Sequence, residues 1–121
     1  MFQTLQINLL KAAITKKLKT EDENFNNNLE KMSIEIDFFD DIEVKSNSIL
    51  YFNDNKKAEV KGLINAQNVS MFTNMIKSNV KDIKQVDIVD IEIDFLKHEF
   101  SAEIFYIDNQ GNKIQTNVNK L

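Results

Sequence analysis

The alternation of apolar and polar residues between positions 86 and 118 is the tightest constraint on what this chain can fold into. Val89, Ile91, Ile93 and Phe95 fall on one side of an extended segment, and Asp90, Glu92 and Asp94 on the other. That two-residue period is the mark of a half-buried strand. Phe100, Ala102, Ile104 and Tyr106 repeat it, and Ile114, Thr116 and Val118 repeat it again. Pairing Phe95 with Phe100, and Tyr106 with Ile114, places all three rows on one face of an up-and-down meander. A slip of one residue would carry a whole row to the wrong side, so the register is well specified. The stretch 108–112, with Gly111, reads as a hairpin turn. It lacks the further ligands and the terminal glutamate of a calcium loop.

Upstream, Phe2, Leu5 and Leu9 form one edge, and Ile7, Leu10, Ile14 and Leu18 the next, of a broad apolar stripe at helical spacing. Thr20 and Glu23 have the spacing of a capping box, which predicts a second helix carrying Phe25, Leu29 and Met32, weakened by Asn26, Asn27 and Asn28. From residue 33 the period becomes two: Ile34, Ile36 and Phe38, then Ile42 and Val44 beyond Asp40 and Asp41, as one bent strand or a hairpin. A short strand at 49–52, a turn at Asn53–Asn55 and a strand bearing Ala58, Val60, Gly62 and Ile64 follow. Asn65 or Asn68 then caps a helix whose stripe is Val69, Phe72, Met75, Ile76 and Val80. The order predicts a single α+β domain over residues 1–121. Its mainly antiparallel sheet carries a C-terminal three-stranded meander, with N-terminal helices and one mid-chain helix packed on one face. A chain of 121 residues suits one domain, and neither an internal repeat nor a linker rich in proline, glycine or serine divides it.

Composition removes several kinds of chemistry. Without cysteine there is no disulfide, thiolate ligand or cysteine nucleophile. The one histidine, His98, falls in a turn with no oriented partner in sequence, so neither a catalytic residue, a metal site nor a cofactor is expected. Two glycines cannot build a phosphate-cradling loop. All fifteen basic residues are lysine. The bidentate fork that arginine offers to guanine and phosphate is therefore missing, which argues against sequence-specific nucleic-acid readout. No apolar run is long enough for a membrane-spanning helix, and residues 1–18 lack the layout of a secretory signal, so a cytoplasmic protein is expected.

Two charged clusters remain. Asp90, Glu92 and Asp94 project from one strand about 6.5–7 Å apart. In the register above Glu92 lies opposite Glu103, and like charges so placed repel. Such a face is either well solvated or neutralised by a lysine-rich partner, the chain's own basic helix included; calcium binding or paired-carboxylate acid/base catalysis is the remaining alternative, for which neither loop ligands nor a pocket-forming motif is evident. Phe105 and Ile107 add apolar groups to the same face, which points to cover from a helix or another subunit. The candidate interaction face is thus Asp90, Glu92, Asp94, Glu103 and Phe105. The second cluster is Lys11, Lys16, Lys17 and Lys19, in a stretch of twenty residues without an acid, although the whole chain carries −4. It suits either the solvated C-terminal end of a helix or a patch for an anionic membrane or nucleic acid.

The run from Met75 to Val86, a long strand, and then residues 100–109 give a helix, strand and hairpin order. This order resembles the C-terminal half of the baseplate wedge family of contractile phage tails, shared with type VI secretion baseplates. The segment from Ile7 to Thr15 is similar to that family's opening helix. Where members carry Glu-Pro-Arg, this chain has Val80, Lys81 and Asp82. The resemblance implies a non-catalytic assembly protein. Together with the missing catalytic chemistry it predicts a small non-enzymatic subunit whose partners are other proteins, further copies of itself among them. The alternative is a ligand-binding or enzymatic α+β domain with a pocket between sheet and helices.

Overall fold

The computed structural model describes residues 4–38, 44–65 and 69–118, with the backbone alone at 4–6, 71, 72 and 75. A helix α1 (Thr4–Glu21) leads into strands β1 (Leu29–Phe38), β2 (Val44–Phe52) and β3 (Lys57–Lys61). A second helix α2 (Ser70–Asn79) leads into β4 (Ile83–Asp94), β5 (Glu99–Asp108) and β6 (Lys113–Val118). The six strands form one sheet in the order β3-β2-β1-β4-β5-β6, every pair antiparallel. The fold is α+β. Each half is a helix followed by a three-stranded meander, and the first strands of the two meanders meet at the centre, with Ile34 opposite Ile91. The topology therefore repeats although no repeat is visible in the sequence.

One face of the sheet is the core. Met32, Ile34 and Ile36 of β1, Val89, Ile91 and Ile93 of β4, and Ala102 and Ile104 of β5 are buried there with Leu50 of β2. Ile7 and Ile14 of α1 and Ile76 of α2 join the same cluster, so both helices cover the same face. Ile114 and Val118 of β6 are half-buried at its margin. β1 and β2 are antiparallel neighbours, with Phe38 opposite Val44. Of the residues expected to line these elements, Phe2, Asp40, Asp41, Ile42 and Asn68 lie outside the described residues, as do the side chains of Leu5, Phe72 and Met75.

Four expectations need correction. No second N-terminal helix forms from Thr20: α1 runs on to Glu21, and the Thr20 hydroxyl donates back to the Lys16 carbonyl at 2.9 Å instead of capping a new helix. Leu29 and Met32 are core residues of a strand, because pairing with β2 and β4 outweighs the weak helical preference of the three asparagines. Leu9 is 61% exposed, since the docked side of α1 is centred on Ile7, Leu10, Ile14 and Leu18. The β4–β5 register is shifted by two: Ile93 pairs with Phe100 and Asp94 with Glu99. At α2, finally, Val69 occupies the N-cap position and offers no side-chain cap.

The turns follow their residues. Asp54 and Asn55 take left-handed φ angles of 62° and 57°, which short polar side chains tolerate best. At 108–112, Asp108 Oδ1 accepts the N–H groups of Asn112 at 2.8 Å and Gln110 at 2.9 Å, and Gly111 adopts φ +84°. The Asn112 N–H first, with those of Gln110 and Gly111 and the Asn112 amide assisting, holds the Asp108 carboxyl below the usual aspartate range. The hairpin reading of this stretch stands. Among the described residues no helix is long and apolar enough to cross a membrane.

Candidate interaction surface

The face of the sheet turned away from the helices carries the acidic candidates. Residues alternating with the core rows must point there, so Glu35 and Asp37 of β1, Asp90, Glu92 and Asp94 of β4, and Glu103 and Phe105 of β5 share it. The shift of two in register preserves parity yet changes partners. Glu92 stands opposite Ser101, and Asp90 stands opposite Glu103. On its other side Asp90 pairs with Glu35. Three carboxylates thus lie in one row across the central strands, continued by Asn47 and Lys61 on one side and by Asn117 on the other.

The acids are not equivalent. Glu103 Oε1 accepts a hydrogen bond from Gln115 Nε2 at 2.8 Å, which draws it towards β6. Asp94 Oδ1 accepts the N–H groups of Leu96 and Lys97, and Asp94 Oδ2 lies 4.0 Å from Lys31 Nζ. Among the described residues no hydrogen bond or ion pair engages the side chains of Glu35, Asp90 and Glu92. Burial, and after it the charge of Glu92, holds the Asp90 carboxyl above the usual aspartate range. Beside these acids lies a small apolar group. Ile88 pairs with Phe105, and Ile107 follows on the same side of β5. All three are half-buried and stand apart from the helix-covered core.

Asp90 supplies a test. An acid whose pKa is raised on folding lowers stability as pH climbs from its unfolded to its folded value, and the deficit persists above that. Asp90→Asn is therefore expected to stabilise the fold at neutral pH, on the order of 0.5 kcal/mol, by removing a partly buried charge and its repulsion from Glu92. The gain should fade as pH falls towards the unfolded aspartate value, in urea titrations of both proteins. A loss of stability at neutral pH would show Asp90 to be favourably placed.

Lys31, Lys45 and Lys61 share the sheet face with the acids, whereas the lysine cluster of α1 occupies the other side of the molecule. Lys16, Lys17 and Lys19 are exposed on α1 and Lys11 is half-buried. Lys11, Lys16 and Lys19 line a shallow groove of about 560 Å³ with Asn8, Ala12, Thr15 and Thr20. All of these residues belong to α1, so the groove runs along the helix. Because α1 sits on the core face, its lysines cannot reach Glu35, Asp90 or Glu92 within one molecule, and the expectation that the chain's own helix neutralises its acidic face is overturned. His98 is exposed in the β4–β5 turn at φ 55°, its Nε2 3.2 Å from Asn8 Oδ1. The one acid of the central row that periodicity did not single out is Glu35. Its polar position was readable, but its place beside Asp90 depends on the distant pairing of β1 with β4.

The class defined by these observations is an α+β domain with two helices on one face of an antiparallel sheet and an acidic, partly apolar opposite face. No protein-family model, curated protein or solved structure matches the chain.

Proposed function

We propose that this chain is a non-enzymatic protein-binding subunit of a larger assembly and that the helix-free face of the sheet is its working surface. The observation carrying this reading is the juxtaposition of Ile88, Phe105 and Ile107 with the carboxylates of Glu35, Asp90 and Glu92, which are unengaged among the described residues. An apolar centre rimmed by charge is the usual anatomy of a protein interface. A solvated sheet face gains nothing from exposing Phe105, whereas a partner that covers it recovers the apolar area. Like charges set side by side become favourable when a lysine-rich surface is laid over them. A baseplate-type component of a contractile injection or secretion machine is the assembly that the resemblance of residues 75–109 suggests.

Phe105→Lys is expected to abolish partner capture, with affinity falling tenfold or more, as for central aromatic anchors. Its thermal unfolding should change little, since the side chain lies outside the core. Pull-downs from the native lysate with wild type and variant side by side provide the measurement. Equal capture by both, or specific capture by neither, would reject the reading.

A further inference from the structure

The two charged surfaces lie on opposite layers of one molecule, and each is built in two parts. On the sheet, Ile88, Phe105 and Ile107 adjoin Glu35, Asp90 and Glu92. On α1, exposed Leu9, Ala12 and Ala13 precede Lys16, Lys17 and Lys19, with no acid before Glu21. Apolar area faces apolar area, and negative charge faces positive, when one surface is laid on the other.

Within one chain they cannot meet, because the sheet and its core lie between them. We propose that they meet between copies: the acidic sheet face of one molecule docks on the outer side of α1 of the next. This rests on the reading of the sheet face as a protein-binding surface and names its partner as a second copy of the chain. Since the two patches are different, the contact is head to tail. Each added copy leaves one acidic and one basic surface unused, so association continues into a ring or an open stack instead of stopping at a dimer. Long-range attraction between the patches makes it salt-dependent.

The experiment uses the full chain in sedimentation velocity at low and high salt over a range of concentrations. Wild type should form species that grow beyond the dimer with concentration and dissolve at high salt. Two neutralised variants separate the surfaces: Glu35→Gln with Asp90→Asn and Glu92→Gln, and Lys16→Gln with Lys17→Gln and Lys19→Gln. Each alone should be monomeric, its self-dissociation constant raised tenfold or more. Mixed in equal amounts, they should form dimers and nothing larger, because the first keeps only a working helix surface and the second only a working sheet surface. Unfolding midpoints no lower than wild type show that both variants fold.

A wild type that stays monomeric at low salt overturns the proposal, as does association that survives either set of substitutions. A monomer that still captures a foreign protein through Phe105 overturns self-association while leaving the protein-binding reading in place. Binding of anionic vesicles or DNA by a monomer, lost in the lysine variant, overturns it too and assigns the helix surface to a polyanion.

Discussion

Ile91→Ala is expected to remove about 3–4 kcal/mol of folding stability, the upper part of the range for deleting a buried isoleucine to alanine. The side chain is fully buried in the central strand β4, with Ile34 opposite it on β1 and Ala102 opposite it on β5. Ala102 is too small to move into the space, and the pairing of three central strands leaves the backbone little freedom to close it. The resulting cavity adds its own cost to the lost transfer energy. Ile114→Ala on strand β6 is the comparison: that residue is only half-buried at the margin, and about 1 kcal/mol is expected. Urea denaturation of both variants checks the pair, with the difference in midpoint read at an unchanged slope. Equal losses would mean that the core is not centred on the junction of β1 and β4.

The second large effect separates two serines on the same strand. Ser46 and Ser48 are both buried on the core face of β2. The Ser46 hydroxyl donates to the Ile64 carbonyl at 2.6 Å and accepts the Ile64 N–H at 3.0 Å. Its backbone carbonyl also accepts the N–H of Gly62, at 2.9 Å, whose φ of +74° turns the chain out of β3. Ser46→Ala strands both backbone groups of a residue that is itself buried, and a loss of about 2–4 kcal/mol is expected. The Ser48 hydroxyl has no hydrogen-bond partner among the described residues. Ser48→Ala removes an unsatisfied polar group at almost no cost in volume, and a gain of about 1 kcal/mol is expected. Thermal and urea unfolding of the two variants should move in opposite directions. A destabilising Ser48→Ala would show that its hydroxyl is paired in solution.

Alternation alone puts Asp90, Glu92, Asp94, Glu103 and Phe105 on one face, and the sheet register places them together there. The match survives a register that differs by two, because a shift by the full side-chain period changes partners and keeps faces. The shift has a local cause that composition does not reveal. Asp94 accepts the Leu96 and Lys97 N–H groups, and Phe95 N–H donates to the Glu30 carbonyl beside the bulge at the start of β1. Phe95 therefore opens the turn instead of closing the ladder, and His98 in a left-handed conformation completes it. The stretch after α1 misled for a related reason. Thr20 and Glu23 satisfy a short-range helix signal, while the partners that pull Leu29 and Met32 into a strand lie some twenty and sixty residues away in sequence.

By itself the sequence determined which side chains face the core in β4, β5 and β6, the Tyr106–Ile114 pairing, the hairpin at Asp108 and the α+β class. Each depends on a period or a turn that neighbouring residues settle among themselves. Only the tertiary structure decided that β1 and β4 meet at the centre of the sheet, bringing Glu35 beside Asp90, and that α1 lies on the layer opposite the acids. Those outcomes follow from contacts between distant segments, whose stability depends on burying Ile7, Ile14, Ile34 and Ile91 together. No local pattern of charge or hydropathy encodes that choice.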